Sequence, residues 1–163
     1  MGITAISLYD YLYLENSLAL GSDTCGHRGA MESGYTIAIM PCGLDMVVPS
    51  ENMGLFLQMI DNGSLAISEY PIGRAPTKVS YVERDRLQAG IADGLIVHER
   101  SEDGGTMHAV RKAAELHRPI GCLSPNIVEQ TGNRMLIDST EPHQSIRLKN
   151  LLETQTTQYK NKY

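Results

Sequence analysis

"GSDTCGHRGAMESGYTIAIM", residues 21–40, contains the junction on which the fold depends: a polar, glycine-bounded stretch running straight into an apolar one. Asp23, His27 and Arg28 fall within six positions, between Gly21 and Gly34. Residues 24–33 have the make-up of a short helix, with Asp23 or Ser22 as its N-cap and Gly34 as its C-cap. "TIAIM" (36–40) is a continuous apolar run, the pattern of a strand covered on both faces. A helix feeding such a strand is one half-turn of an α/β sheet.

The same unit recurs downstream. "LAIS" (65–68), "GLIVHE" (94–99) and "PIGCL" (119–123) are the other apolar runs. Between them, "SENMGLFLQMIDNG" opens at Ser50 as an N-cap and closes at Gly63 as a C-cap, and "VERDRLQAGIADG" (82–94) and "TMHAVRKAAELHR" (106–118) follow the same scheme. The expected fold is therefore an α/β three-layer sandwich of Rossmann-like type with a mainly parallel sheet. Residues 36–40, 65–68, 94–98 and 119–123 should be adjacent parallel strands, with helices on both faces. Ligands in such sheets sit outside the carboxyl ends of the strands, which points to the loops 41–50, 69–81 and 99–106. The tail, "HQSIRLKNLLETQTTQYKNKY", has apolar residues at 146, 148, 151 and 152 and reads as a closing helix with a basic end.

With 163 residues the chain is sized for one domain. No apolar stretch has the length of a bilayer span, and "MGITAISLYDYLYLEN" lacks the basic start and apolar centre of a secretion signal, so a cytoplasmic location is expected. Three cysteines (Cys25, Cys42, Cys122) with no CxxC spacing fit buried, reduced thiols with a structural role, and no disulfide. The net charge of −5 is unevenly spread: residues 1–73 hold one base, Arg28, against eight acids, and residues 74–163 hold thirteen bases against eleven acids. An anion site belongs to the second half or depends on Arg28, and coating of DNA by charge alone is excluded.

Two segments carry candidate chemistry. "EDGGTMHAV" (102–110) follows a strand and opens a helix; Gly104 and Gly105 permit close backbone approach, Thr106 adds a hydroxyl, and free amides at a helix start attract anions. A plain capped helix start would look the same. "RAPTKVSYVERDR" (74–86) gathers Arg74, Lys78, Arg84 and Arg86 around Tyr81, a set suited to a nucleic-acid backbone with a stacked base, or simply to a solvated loop. Arg84 and Arg86, two positions apart on a helix, cannot face one ligand; one of them suits an ion pair with Glu69 or Asp93. The histidines at 27, 98, 108 and 117 have no metal-ligand spacing, and no GxSxG elbow or nucleophile–base pair is present, so neither metal nor catalytic residues are expected.

In order, "LALGSDTCGHRGAMESGYTIAIMPCGLDMVVPSEN", "SEYPIGRAP", "YVERDRLQAGIADGLIVHE" and "GGTMHAVRKAAELHRPIGCL" resemble the motifs of the DNA-processing protein A (DprA, or Smf) family, from about Leu18 to Thr140. The resemblance implies a Rossmann-like domain over 18–140, preceded by a divergent segment (1–17) in place of the family's first strand and helix, and followed by a C-terminal helix and tail (141–163). It implies binding of single-stranded DNA, assistance to a RecA-type recombinase during DNA uptake, a homodimer, no cofactor, no membrane association and no enzymatic activity. Lys78, Tyr81 and Arg84 fall at DNA-contacting positions and Gly104, Gly105 and Thr106 at an anion-binding loop; Gly21, Arg28 and Arg74 join that set. Asp23, His27, Asp45, Glu69 and Arg86 would support the pocket. The alternative is a nucleotide binder akin to the lysine-decarboxylase-like phosphoribohydrolases. That alternative would lack turnover, because Ala109 stands where those enzymes carry a catalytic glutamate.

Overall fold

The computed structural model describes residues 2–7, 13–99 and 106–122. In chain order they form β1 (Gly2–Ser7), β2 (Tyr13–Asn16), α1 (Ser22–Met31), β3 (Thr36–Ile39), α2 (Met53–Asp61), β4 (Leu65–Ile67), α3 (Lys78–Ile91), β5 (Gly94–Glu99), α4 (Thr106–Glu115) and β6 (Ile120–Cys122). A single 3₁₀ turn, Ser50–Asn52, leads into α2.

All six strands join one sheet in the order β4-β3-β2-β1-β5-β6. β2, β3 and β4 pair in parallel, as do β5 and β6, whereas β1 is antiparallel to both β2 and β5. Two successive reversals restore the direction, so the four strands expected from their apolar runs are mutually parallel. They are not all adjacent. β2 and β1 lie between the pair β3–β4 and the pair β5–β6, and they come from residues 1–17, where no strand was expected. Their sequences, "GITAIS" and "YLEN", are short and mixed in polarity, so they do not stand out as apolar runs.

Register shows how the layers are built. Leu95 pairs with Ala5, Ala5 with Glu15 and Glu15 with Ile37. Leu95 and Val97 therefore share a face with Ile37 and Ile39, and Ala38 lies on the other face. Leu95 and Val97 pack with Ala89 and Ala92 from the α3 end and with Met107, Ala109, Val110 and Ala113 of α4. Ala38 and Met40 pack with Leu18, Cys42 and with Leu55 and Met59 of α2. Helices thus cover both faces, and the two apolar cores lie on opposite sides of the sheet.

Several helix ends differ from expectation. α1 begins at Ser22 with Gly21 as its N-cap at φ +91, and no side chain caps it, because Asp23 is engaged elsewhere; its C-cap is Glu32 rather than Gly34. Ser50 is used in the 3₁₀ turn, so α2 starts three residues later, while Gly63 follows the C-cap with φ +87 as a helix stop should. α3 begins four residues before Val82. Thr77 accepts from the Ser80 backbone N–H at 3.1 Å and Ser80 Oγ accepts from the Thr77 N–H at 2.8 Å, a reciprocal capping box. Among the thiols, Cys42 is buried, but Cys25 is exposed on α1, contrary to expectation. The side chain of Cys122 and the closing helix expected over 141–163 lie outside the described residues.

Candidate nucleic-acid interface

The carboxyl end of β2 and the start of β3 rest on a buried polar network centred on α1. The Ser17 hydroxyl donates to Asp23, and Asp23 is only 3% exposed. His27 is fully buried, with Nε2 2.8 Å from the Ser17 carbonyl and Nδ1 2.7 Å from the Thr36 hydroxyl. Because a carbonyl only accepts, Nε2 carries the proton and Nδ1 accepts from Thr36. Thr24 donates to the Ala19 carbonyl at 2.9 Å, and Asn52 donates to the Leu18 carbonyl at 2.8 Å and to Thr24 at 2.9 Å. The irregular backbone 17–19 thereby has its carbonyls satisfied. Burial holds the His27 imidazole at a pKa of about 4, against the pull of the Ser17 carbonyl. Burial likewise pushes Asp23 up to about 6, opposed by the Ser17 hydrogen bond and by Arg84.

"GSDTCGHRG" is therefore a brace. Asp23 and His27 are buried, turned into the protein rather than toward a ligand-facing surface. Arg28 is exposed in the last turn of α1, roughly 10 Å along the axis from Gly21 at its start. One point ligand cannot meet both.

The loops after β3 and β4 are locked to each other. Residues 71–74 form a tight turn with Arg74 N–H bonded to the Pro71 carbonyl at 3.1 Å and Gly73 at φ +83, a conformation glycine adopts without strain. The Gly73 N–H donates to the Asp45 carboxylate at 2.9 Å, and the Gly43 N–H donates to the Arg74 carbonyl at 2.9 Å. A Cβ on Gly43 would lie 2.6 Å from the Pro71 carbonyl oxygen, so only glycine lets the two loops approach. Ser68 adds a 2.6 Å bond to the Cys42 carbonyl. Asp45 thus holds the turn that carries Arg74.

That clamped segment is also tied to α3. Arg86 pairs with Glu69, and Tyr70 donates to Glu83 at 2.6 Å, a bond that raises the phenol's pKa. Lys78 is the first residue of α3 and exposed; Tyr81, one turn later, is 42% exposed. Arg84 differs from its sequence neighbours. It is buried, bonded through Nε to Asp85 at 3.1 Å and through Nη1 to the Ile39 carbonyl at 3.1 Å, and its guanidinium lies 5.8 Å from the Tyr81 ring centroid. It anchors α3 to the end of β3 and backs the Tyr81 ring. Arg84 and Arg86 do face different partners, as their spacing requires.

Gly104 and Gly105 lie outside the described residues. Thr106 opens α4, as the strand–glycine–helix pattern requires. Sequence reasoning missed Asn16, Gln88 and Asn52, buried polar residues at element ends; Asn16 Nδ2 has no hydrogen-bond partner. The Thr77-x-x-Ser80 box was the one available signal for the true start of α3. Among the described residues no His, Cys, Asp or Glu cluster could hold a metal, and no helix is long and apolar enough to cross a membrane.

Fold and local geometry together define a Rossmann-like α/β protein with Arg74 exposed on the clamped 71–74 turn and Lys78 and Tyr81 exposed at the start of α3. Residues 16–155 match the family model described as DNA recombination-mediator protein A, and the chain belongs to that family. It is 34% identical over 125 residues to protein Smf of Synechocystis, covering 75% of this chain and 31% of that protein. It is 33% identical over 123 residues to DNA processing protein DprA of Streptococcus pneumoniae, covering 75% and 43%. The chain thus spans less than half the length of these curated relatives. The solved structure of DNA processing protein A from Helicobacter pylori, described as binding single-stranded DNA, superimposes with a TM-score of 0.78 at 26% identity, covering 90% of this chain and 66% of that one.

Proposed function

We propose that this chain binds single-stranded DNA across the start of α3 and the clamped 71–74 turn, without chemistry on the strand. One observation carries this: Lys78 stands in the first turn of α3, where the helix dipole disfavours a cation. An anion placed there meets both the lysine and the Lys78 and Val79 amides that the Thr77–Ser80 capping box leaves over, which turns a local penalty into a binding site. Arg74 adds a second exposed cation, Tyr81 a face for one base, and Gly104, Gly105 and Thr106 a further backbone contact for phosphate. Family membership and the single-stranded DNA binding described for the Helicobacter pylori protein support the same assignment. As a homodimer, the chain would present two such strands to a RecA-type recombinase during DNA uptake.

The test is fluorescence anisotropy with an oligothymidine across a salt series. Lys78→Ala should weaken binding and reduce the slope of log K against log salt by about 0.7, the value for one lost single-strand phosphate contact. Tyr81→Ala should weaken binding by roughly 1–3 kcal/mol with the slope unchanged. Absence of binding by the parent chain at micromolar protein and low salt would refute the proposal.

A further inference from the structure

The turn that carries Arg74 is more rigidly held than an exposed loop requires, and its tip is apolar. Ile72 is 72% exposed, more than any other large apolar side chain among the described residues. It stands on a four-residue turn fixed by its own Arg74-to-Pro71 bond, by the Asp45 carboxylate on the Gly73 N–H, and by the Gly43 N–H on the Arg74 carbonyl. Gly43 has no room for a Cβ, so the supporting loop is built around this contact. None of these bonds buries Ile72, and no described core residue packs against it. Val79, 63% exposed, lies in the first turn of α3 and is a second aliphatic group held in water beside the same cations.

A rigid apolar tip next to Arg74 and Lys78 matches a polymer that alternates anionic and flat apolar groups. In single-stranded DNA the phosphates supply one and the base faces the other. Pre-ordering the tip lowers the entropy lost when it meets a base. We infer that Ile72 is a base-contacting residue, packing on a nucleobase face while Arg74 and Lys78 take the flanking phosphates, and that Asp45 is the positioning residue that holds it there. This rests on the single-stranded DNA assignment above.

The experiment compares two oligomers of equal length and charge in anisotropy titrations: oligothymidine and an abasic strand. Ile72→Ser should weaken oligothymidine binding about five- to tenfold, as expected for loss of one partly buried aliphatic contact. It should leave the salt slope and the binding of the abasic strand unchanged. Asp45→Ala should reproduce the loss on oligothymidine, with the salt slope preserved, because it frees the turn without removing a cation. Ile72 is exposed, so an unchanged melting temperature is expected for its variant. If the parent binds oligothymidine, Lys78→Ala weakens it and Ile72→Ser does not, the base contact is refuted and the broader assignment stands. Equal loss on both strands also overturns it, since that outcome means Ile72 acts on the backbone or on the turn's shape. If the parent binds neither strand, the broader assignment fails with it.

Discussion

Replacing Asp23 with asparagine tests the buried network under α1 in a way that separates charge from shape. Asp23 is buried, and its folded-state pKa of about 6 lies above the ordinary value of 3.8. The folded chain therefore holds the proton more tightly than the unfolded chain. Stability from this group is fully present below pH 3.8 and is lost as pH rises through 6. About two pH units correspond to about 3 kcal/mol between the neutral and charged forms. The asparagine amide cannot ionise, yet it still offers an oxygen to the Ser17 hydroxyl. Relative to the parent, D23N should gain about 2–3 kcal/mol of unfolding free energy between about pH 4 and about pH 7.5, whatever constant offset its altered hydrogen bonds add.

His27 sharpens the test. Its pKa falls from 6.5 to about 4 on folding, so it contributes stability above pH 6.5 that is lost as pH falls through 4, again about 3 kcal/mol. In the parent the two groups oppose each other over the same window, and stability should change little between pH 6.5 and 4 from this pair. D23N uncovers the His27 contribution, so the variant should lose about 3 kcal/mol on acidification over that range. Urea unfolding followed by circular dichroism at half-unit pH steps measures both curves. A D23N-minus-parent difference that is flat across about pH 4–7.5 would refute the assignment of a buried, proton-retaining carboxyl.

Gly43→Ala should destabilise the chain by about 1–3 kcal/mol, since its Cβ would sit 2.6 Å from the Pro71 carbonyl oxygen; thermal unfolding reads it, and an unshifted melting temperature contradicts the close approach. Thr77→Ala should cost about 1 kcal/mol by removing the capping box of α3, whereas Thr77→Ser should cost much less; the same thermal unfolding measures both. In a Cys122→Ser background a thiol reagent should modify Cys25 rapidly and Cys42 slowly, because Cys42 is buried and its thiolate disfavoured; adding Cys25→Ser should abolish the fast phase.

The parallel strands were legible because each is a run of apolar residues wide enough to be covered on both faces. "TIAIM" and "GLIVHE" declare that burial directly. The start of α3 was only half legible: its cap is a threonine–serine pair, and the more familiar signal, a glutamate or glutamine at the third position, is absent. The site residues divide along the same line. That Lys78, Tyr81 and Arg74 form a basic group around an aromatic follows from their closeness in the chain. That Arg84 does not share their exposure does not follow, because its partners, Asp85 and the Ile39 carbonyl, include one that lies 45 residues away.

The sequence by itself determined the α/β class, the parallel direction of four strands and the family, since all of these rest on local pattern or motif order. Only the tertiary structure decided that an antiparallel strand from residues 2–7 occupies the middle of the sheet, because strand pairing joins segments about ninety residues apart and leaves no mark in either. It also decided which cations reach solvent. A guanidinium's exposure depends on whether a distant carbonyl and a neighbouring carboxylate are positioned to replace its water, and for Arg84 that position exists only once α3 has docked against the end of β3.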